Sequence, residues 1–536
     1  MRVLLINPFY PISETPSPPL GLAYLAGALE AAGMAVKVLD CVVSPFSNDL
    51  LSSLLEEFKP DLVGATAVTM TVDHALTVLK RIKALVPDIP TVLGGPHATF
   101  CAADILASFP QVDAVVRGEG EQSLVALARA VQDRSPWSRV PGIAFREKDR
   151  IVTTDLPPLA DLNELPQPAR HGIPMGRYRA LGMPVSMTTS RGCPFKCIFR
   201  VGRKMVGAKV RYRDPVRVVD EMVALNRLGF HQINLADDLF TANRNHCLAV
   251  CNEIMDRGLT VNWTSFARVD TVVRQTLEAM RRAGCTTISF GIESGSPEML
   301  KRIKKGITLE QARQAMQLCL DCGIEPHASF ILGLPGETSE TLRQTLNFGE
   351  SLQSMGANHG FHILTPFPGT DIRERLETYD LQILSDNWRE YHANRAVVRT
   401  AGVAPETMNA IVIESEKEFD RWLGKIGRRR AMGLADKKEA WPLTRLEHTV
   451  VIYDMMMKRL IEKRGFWPIG ASQNDPGQPV EQLIQRATED LDHPPQRIRA
   501  AIEFAVTENY LEVRKTSGRV SWAWVEGFVR RGLRCS

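Results

Sequence analysis

The chain has 536 residues, 44% of them hydrophobic and 24% charged, which is ordinary globular composition at a length suited to two to four domains. A formal net charge of +4 is small for this size and gives no reason to expect nucleic acid or an anionic membrane as the main partner. The apolar start MRVLLINPFYP is too short for a signal peptide, and the stretch from Leu20 to Leu39 is broken by Glu30 and Lys37. No transmembrane segment is therefore expected, and the expected location is the cytoplasm. Ten cysteines scattered over such a chain do not form a disulfide framework.

Residues 1–140 alternate short apolar runs with helical patterns. RVLLINP, AVKVLDC, DLVGATAV, TVLGGPH and AVVRGEG are nearly continuous in apolar residues, as parallel strands covered on both faces must be. Helical LGLAYLAGALEAAG and VDHALTVLKRIKALV lie between them, which predicts an α/β, flavodoxin-like (Rossmann-type) sheet. Ligands of such sheets gather beyond the carboxyl ends of the strands. The candidates there are Thr66, Thr69, Gly94, Gly95, Gly118, Glu119 and Gly120, with glycines allowing close backbone approach and threonines offering short hydrogen bonds.

The wording of this segment is more specific. Pro18-Pro19-Leu20-Gly21-Leu22, then GGPHAT, then VVRGEGE resemble the cobalamin-binding domain of the B12-binding radical S-adenosylmethionine (SAM) family. The resemblance implies cobalamin at the residues just named, with its nucleotide base displaced. An Asp-x-His-x-x-Gly signature is absent, so neither His74 nor His97 is expected to ligate cobalt; His97 is expected to be a loop hydrogen-bonder.

A proline-rich stretch, LPPLADLNELPQPAR, marks residues 141–184 as a linker. Over 185–380 the βα rhythm resumes in VSMTTS, HQINLADD, VNWTSFARV, TISFGIE, HASFILGL and GFHILTPF, six units of a partial (β/α)6 TIM-like barrel. Beyond the first strand stands SRGCPFKCIFR, with Cys193 and Cys197 in a Gly/Pro-flanked loop. This loop resembles the CxxxCxxC motif whose three thiolates hold a [4Fe-4S] cluster and leave one iron open to SAM. The resemblance implies Cys193 and Cys197 as ligands and Phe199 beside SAM. At the third ligand position the chain has Arg200, a permanent cation with no lone pair to offer iron. Three explanations stay open: a member that lost or reshaped its site, a single substitution in an otherwise complete enzyme, or rescue by a distant thiol such as Cys251 or Cys285. The surviving motifs favour the second. By the same resemblance Asp237 and Asp238 meet the SAM amino group, Arg268 at the end of the third strand contacts SAM, Glu293 and Ser294 lie at its carboxylate or ribose side, and Gly333 and Glu337 lie near adenine and ribose. Each of the acids has an alternative reading as a helix cap or first-turn carboxylate.

Residues 381–536 read as mostly helical. The basic run Lys425 to Arg430 reads as a solvated helix face, and Met455-Met456-Met457 as core. Over 478–527 two helices and a hairpin with a TSGR turn follow a winged-helix-like order. The second helix balances its arginines with glutamates, so no nucleic acid is expected. The resemblance implies an enzyme using cobalamin, SAM and a [4Fe-4S] cluster on a small-molecule substrate, with an electron donor such as flavodoxin or ferredoxin. Methyl transfer to an unactivated carbon of a lipid, tetrapyrrole or natural product leads. A ring-forming cyclase of the magnesium-protoporphyrin ester type, and a catalytically silent cobalamin-binding scaffold, are the alternatives.

Overall fold

Apolar strands that alternate with amphipathic helices bury both faces, and two such sheets organise this chain. The computed structural model describes residues 1–11, 15–468, 478–516 and 518–527. In the first sheet β1 (Arg2–Asn7), β2 (Ala35–Asp40), β3 (Leu62–Thr66), β4 (Thr91–Gly94) and β5 (Ala114–Val116) run parallel, in the order β2-β1-β3-β4-β5. One apolar core lies on each face of it.

The sheet does not stop there. β6 (Ile143–Glu147) and β7 (Arg150–Thr153) add an antiparallel hairpin beyond β5, making seven strands. Residues 143–153 were expected within the linker, so its start moves to about Thr154. The reason is physical: edge strands tolerate charge, and REKDR in the middle of the hairpin reads as loop.

The second sheet is wholly parallel. It joins β8 (Val185–Met187), β11 (Gln232–Leu235), β12 (Asn262–Ala267), β13 (Cys285–Glu293), β14 (Glu325–Leu332) and β15 (Asn358–Ile363) in sequence order, as the barrel reading requires. Between its first two strands β9 (Ser190–Arg191) and β10 (Arg211–Tyr212) form a short antiparallel ribbon, from which the cysteine loop departs and to which it returns. A buried ionic triad braces this junction. Glu221 accepts from Arg170 at 2.6 Å and pairs with Arg213 at 2.7 Å, while those arginines also donate to the carbonyls of Ser186 and Thr188.

After β15 an antiparallel pair, β16 (Leu381–Ile383) and β17 (Val398–Thr400), precedes the long helices Pro405–Ala431 and Lys437–Met457. Met455 and Met456 are fully buried in the core shared with the barrel, as expected. The helices Gln478–Asp490 and Pro495–Thr507 lead into β19 (Leu511–Thr516) and β20 (Arg519–Trp524), and β18 (Phe466–Pro468) pairs with β20. That third strand was not foreseen, since three residues including a proline read as a turn. Ser517 of the anticipated TSGR turn lies outside the described residues. Among the described residues no helix is long and apolar enough to cross a membrane.

Candidate functional site

A cleft of about 310 Å³ opens where the carboxyl ends of β1, β3, β4 and β5 meet the helices Leu20–Ala31 and Gly120–Gln132. Its walls are mostly apolar: Leu5, Leu25, Val92, Val116 and Leu124, with Thr66 and Gly94 at the strand ends. The segment after β8 closes it from across the seam with Thr188, with Arg191 of the β9–β10 ribbon and with Met205 of the short helix Gly202–Val206. Two glycines are structurally obligatory. Gly95 has φ +95°, and a Cβ there would come within 2.6 Å of the Ala67 carbonyl oxygen; Gly118 has φ +69°. Gly120 sits against Leu25, where a Cβ would come within 3.1 Å.

Of the residues expected at cobalamin, Thr66, Gly94, Gly95, Gly118, Glu119 and Gly120 line this cleft and Thr69 does not. The Thr69 hydroxyl is turned into the loop, 3.2 Å from Nδ1 of His97. His97 also packs against Trp388 at 4.9 Å, and burial lowers its imidazole to about 4, so it stays neutral as a loop hydrogen-bonder. His74 accepts from the Phe9 amide at 3.0 Å. An apolar slot with glycines at its strand ends fits a flat ligand, and its lining contains no histidine.

Glu119 has a second task. Its carboxylate takes two hydrogen bonds from Arg211, at 3.0 and 2.5 Å, while Glu121 pairs with Arg191 at 2.8 Å. Arg191 also stacks over Tyr24, 4.8 Å from the ring centre. Both arginines belong to the β9–β10 ribbon, so the glycine loop after β5 grips the stem of the cysteine loop. Sequence reasoning missed Arg191, Arg211 and Glu121. Their types were visible, but their partners lie 70 to 92 residues away.

The cysteine loop borders a second cavity, of about 270 Å³, lined by Cys193, Cys197 and Arg200 together. Position 200 therefore faces the same space as the two thiols. Seven lysines and arginines line it against two aspartates, walls suited to an anionic occupant. The thiol count does not suit a three-thiolate cluster. Arg200 is instead paired with Asp238 at 3.1 Å, and no group of three His, Cys, Asp or Glu side chains able to hold a metal occurs among the described residues. Cys251 and Cys285 are buried in the barrel core and neither lines this cavity. No chemical step through a cluster is derived for the chain with arginine at this position.

Around this cavity the expected SAM contacts divide into two kinds. Asp238 and Arg268 line it. Arg268 is held by both carboxylate oxygens of Asp270 at 2.9 Å, donates to the Lys305 carbonyl, and lies 3.6 Å over the ring of Phe195. Glu293 pairs with buried Lys305 at 2.7 Å and holds φ +74° at an irregularity of β13, a conformation uncommon for a residue with a Cβ.

Three of the residues expected at SAM make hydrogen bonds within the protein. Asp237 accepts from the Thr189 amide, the Thr189 hydroxyl and the Ser190 hydroxyl at 2.5–2.7 Å, so it anchors the start of the cysteine loop. The Ser294 hydroxyl lies 3.0 Å from that of Thr345 and takes the Ser296 amide. Glu337 turns back to accept from the Gly333 amide at 2.5 Å, closing its own turn. Gly333 supplies that turn with φ +80°, and Phe199 is half-buried against an apolar cluster that includes Ile198 and Leu334.

Burial lifts the Glu337 carboxyl to about 7, from an ordinary value near 4.5. The folded state thus favours the protonated form, and stability present below pH 4.5 is lost as pH rises through 7, a gap worth about 3 kcal/mol. Glu337→Gln is expected to melt close to the parent at pH 5 and above it at pH 8. Equal melting differences at both pH values would refute this.

Between the buried residues of the barrel strands the other face carries Asn234, Thr264, Ser289 and His327, with Phe266 half exposed two residues beyond Thr264. The Thr264 hydroxyl donates to Asn234 at 2.8 Å.

With this geometry in view, two family profiles match: the B12 binding domain over residues 13–128 and the radical SAM superfamily over residues 187–349. An uncharacterised methyltransferase, PH0819, of Pyrococcus horikoshii is 34% identical over 427 residues, 78% of this chain and 92% of its own. The chain belongs to the radical SAM enzymes that carry a B12-binding domain. The anaerobic magnesium-protoporphyrin IX monomethyl ester cyclase of Rubrivivax gelatinosus is 36% identical over 71% of this chain and 72% of its own. Among solved structures the fold matches OxsB, a cobalamin-dependent SAM radical enzyme, with a TM-score of 0.68 at 16% identity, covering 95% of this chain and 84% of that one. It also matches the methyltransferase TsrM of Kitasatospora setae, with a TM-score of 0.63 at 20% identity over 95% and 98% of the two chains.

Proposed function

We propose that this chain is built for cobalamin-dependent methyl transfer to a poorly activated carbon of a small molecule seated in the barrel mouth. The observation that supports it best is the apolar cleft of about 310 Å³ whose far wall comes from the segment that carries the cysteine loop, so one ligand would touch both parts of the chain. Cobalamin, when bound, supplies a transferable methyl group, and SAM, when bound, supplies the source of that methyl and of radical chemistry in this family. The chain's own residues hold, orient and exclude water. Thr66 and the glycine loops would seat the corrin, Glu119 and Glu121 fix the seam, and Arg268 and Glu293 shape the SAM side. The strand faces offer both hydrogen-bonding groups and the exposed Phe266 ring to a lipid, tetrapyrrole or natural-product substrate. The expected setting is cytoplasmic, with a flavodoxin or ferredoxin as electron donor.

The cyclase alternative rests on the Rubrivivax relative. The Arg200–Asp238 pair supports a second reading, a cobalamin-binding protein silent in radical chemistry. Both share the first domain, which is tested directly. Protein saturated with cobalamin and desalted is expected to keep about one corrinoid per chain by cyanide extraction. Gly95→Ala, forced to place a methyl on the Ala67 backbone, is expected to lose most of it. Absence of corrinoid from the parent protein would overturn both readings.

A further inference from the structure

The small overall charge conceals an uneven distribution. Between Phe419 and Trp441 stand seven lysines and arginines against three acids, a net +4 that equals the formal charge of the whole chain. This segment is the tip of the helical hairpin formed by Pro405–Ala431 and Lys437–Met457. Val412 is the last residue of the first helix buried against the barrel's outer layer, and residues 413–422 are exposed on every side. At 1.5 Å per residue, Ala431 lies about 28 Å beyond that contact.

The tip is also unusually apolar for an exposed element. Phe419, Trp422, Met432, Leu434 and Trp441 are between 46% and 64% exposed, and Phe419 and Trp422 stack with ring centres 5.5 Å apart. Trp422, Lys425 and Lys438 border an open groove of about 430 Å³ between the helices. Arg421, Arg429 and Arg430 are neutralised by Glu414, Glu439 and Glu447. Lys425, Arg428, Lys437 and Lys438 have no carboxylate partner among the described residues.

We propose that this hairpin tip is a docking surface for an anionic lipid bilayer. Tryptophan, phenylalanine and leucine interleaved with unpaired lysines match the depth profile of a membrane interface, where rings sit at the headgroups and ammonium groups meet phosphate. A protein partner is a poorer match, because lysine is depleted at protein interfaces while three of the four unpaired cations here are lysines. Binding would orient the enzyme on a surface and is independent of which substrate the barrel takes.

The test is vesicle flotation of the full chain with phosphatidylcholine alone and with phosphatidylglycerol added. The protein is expected to float with the anionic vesicles and to be released by high salt. Lys425→Glu with Lys438→Glu is expected to weaken partitioning by about tenfold or more. Trp422→Ser with Leu434→Ser is expected to weaken it by about tenfold or more, while both variants retain corrinoid like the parent. Failure to float with anionic vesicles at low salt, or flotation indifferent to both variants, overturns the proposal. So does a parent dimer in light scattering that Trp422→Ser with Leu434→Ser converts to monomer, which would give the face to a second copy.

Discussion

Arg200→Cys is expected to turn a protein that takes up little iron on anaerobic reconstitution into one holding about four iron and four sulfide per chain. Position 200 borders the same cavity as Cys193 and Cys197, so a thiol there reaches the space the other two face. The substitution also releases Asp238 from its ion pair. Iron and sulfide counts check this without relying on turnover. Arg200→Ala is the control: it frees Asp238 equally but adds no ligand, and should stay near the parent's iron content. If the cysteine variant gains no iron, the site has been reshaped beyond one position. If the parent already holds a full cluster, the guanidinium is no obstacle and the silent reading fails.

Glu221→Ala is expected to produce the largest loss of stability of any single change outside the apolar core. The carboxylate is buried between two buried guanidinium groups at 2.6 and 2.7 Å. Its removal leaves two uncompensated positive charges away from water, at a cost of about 3–5 kcal/mol. In a unit of this size that corresponds to a fall in Tm of about 10 °C. Both arginines also hold carbonyls at the end of β8, Ser186 and Thr188, just ahead of the cysteine loop. Thermal or urea unfolding checks the size, and an unchanged midpoint would mean that water reaches the triad. Replacing all three residues by apolar side chains should cost far less than the single change, since it is the broken set that is destabilising.

The legible parts of this molecule were those whose signal is local. Continuous apolar runs ending in Gly94-Gly95 or Gly118-Glu119-Gly120 announce strands and turns within a few residues, and both sheets follow from them. The β6–β7 hairpin was missed because its charges are what an edge strand needs and what a loop also shows. Side-chain roles were harder. Asp237, Ser294 and Glu119 sit where the motif puts them, yet their partners lie 48, 51 and 92 residues away and cannot be counted from spacing. Glu337 shows the reverse, with its partner only four residues away in its own turn, the bland alternative that the sequence had left open. The net charge is an average, and a nearly balanced total contains one cationic, aromatic tip.

The grip of Glu119 and Glu121 on Arg211 and Arg191 bears on how such proteins can be recombined. The boundary between the two family profiles suggests interchangeable modules, but the chemical boundary runs through a shared set of charges. A cobalamin domain grafted from a relative would arrive with its own acids facing these arginines, or with none. A graft that lacks these acids would leave Arg191 and Arg211 without their partners, so the natural unit of exchange is the seam together with the loop that it holds.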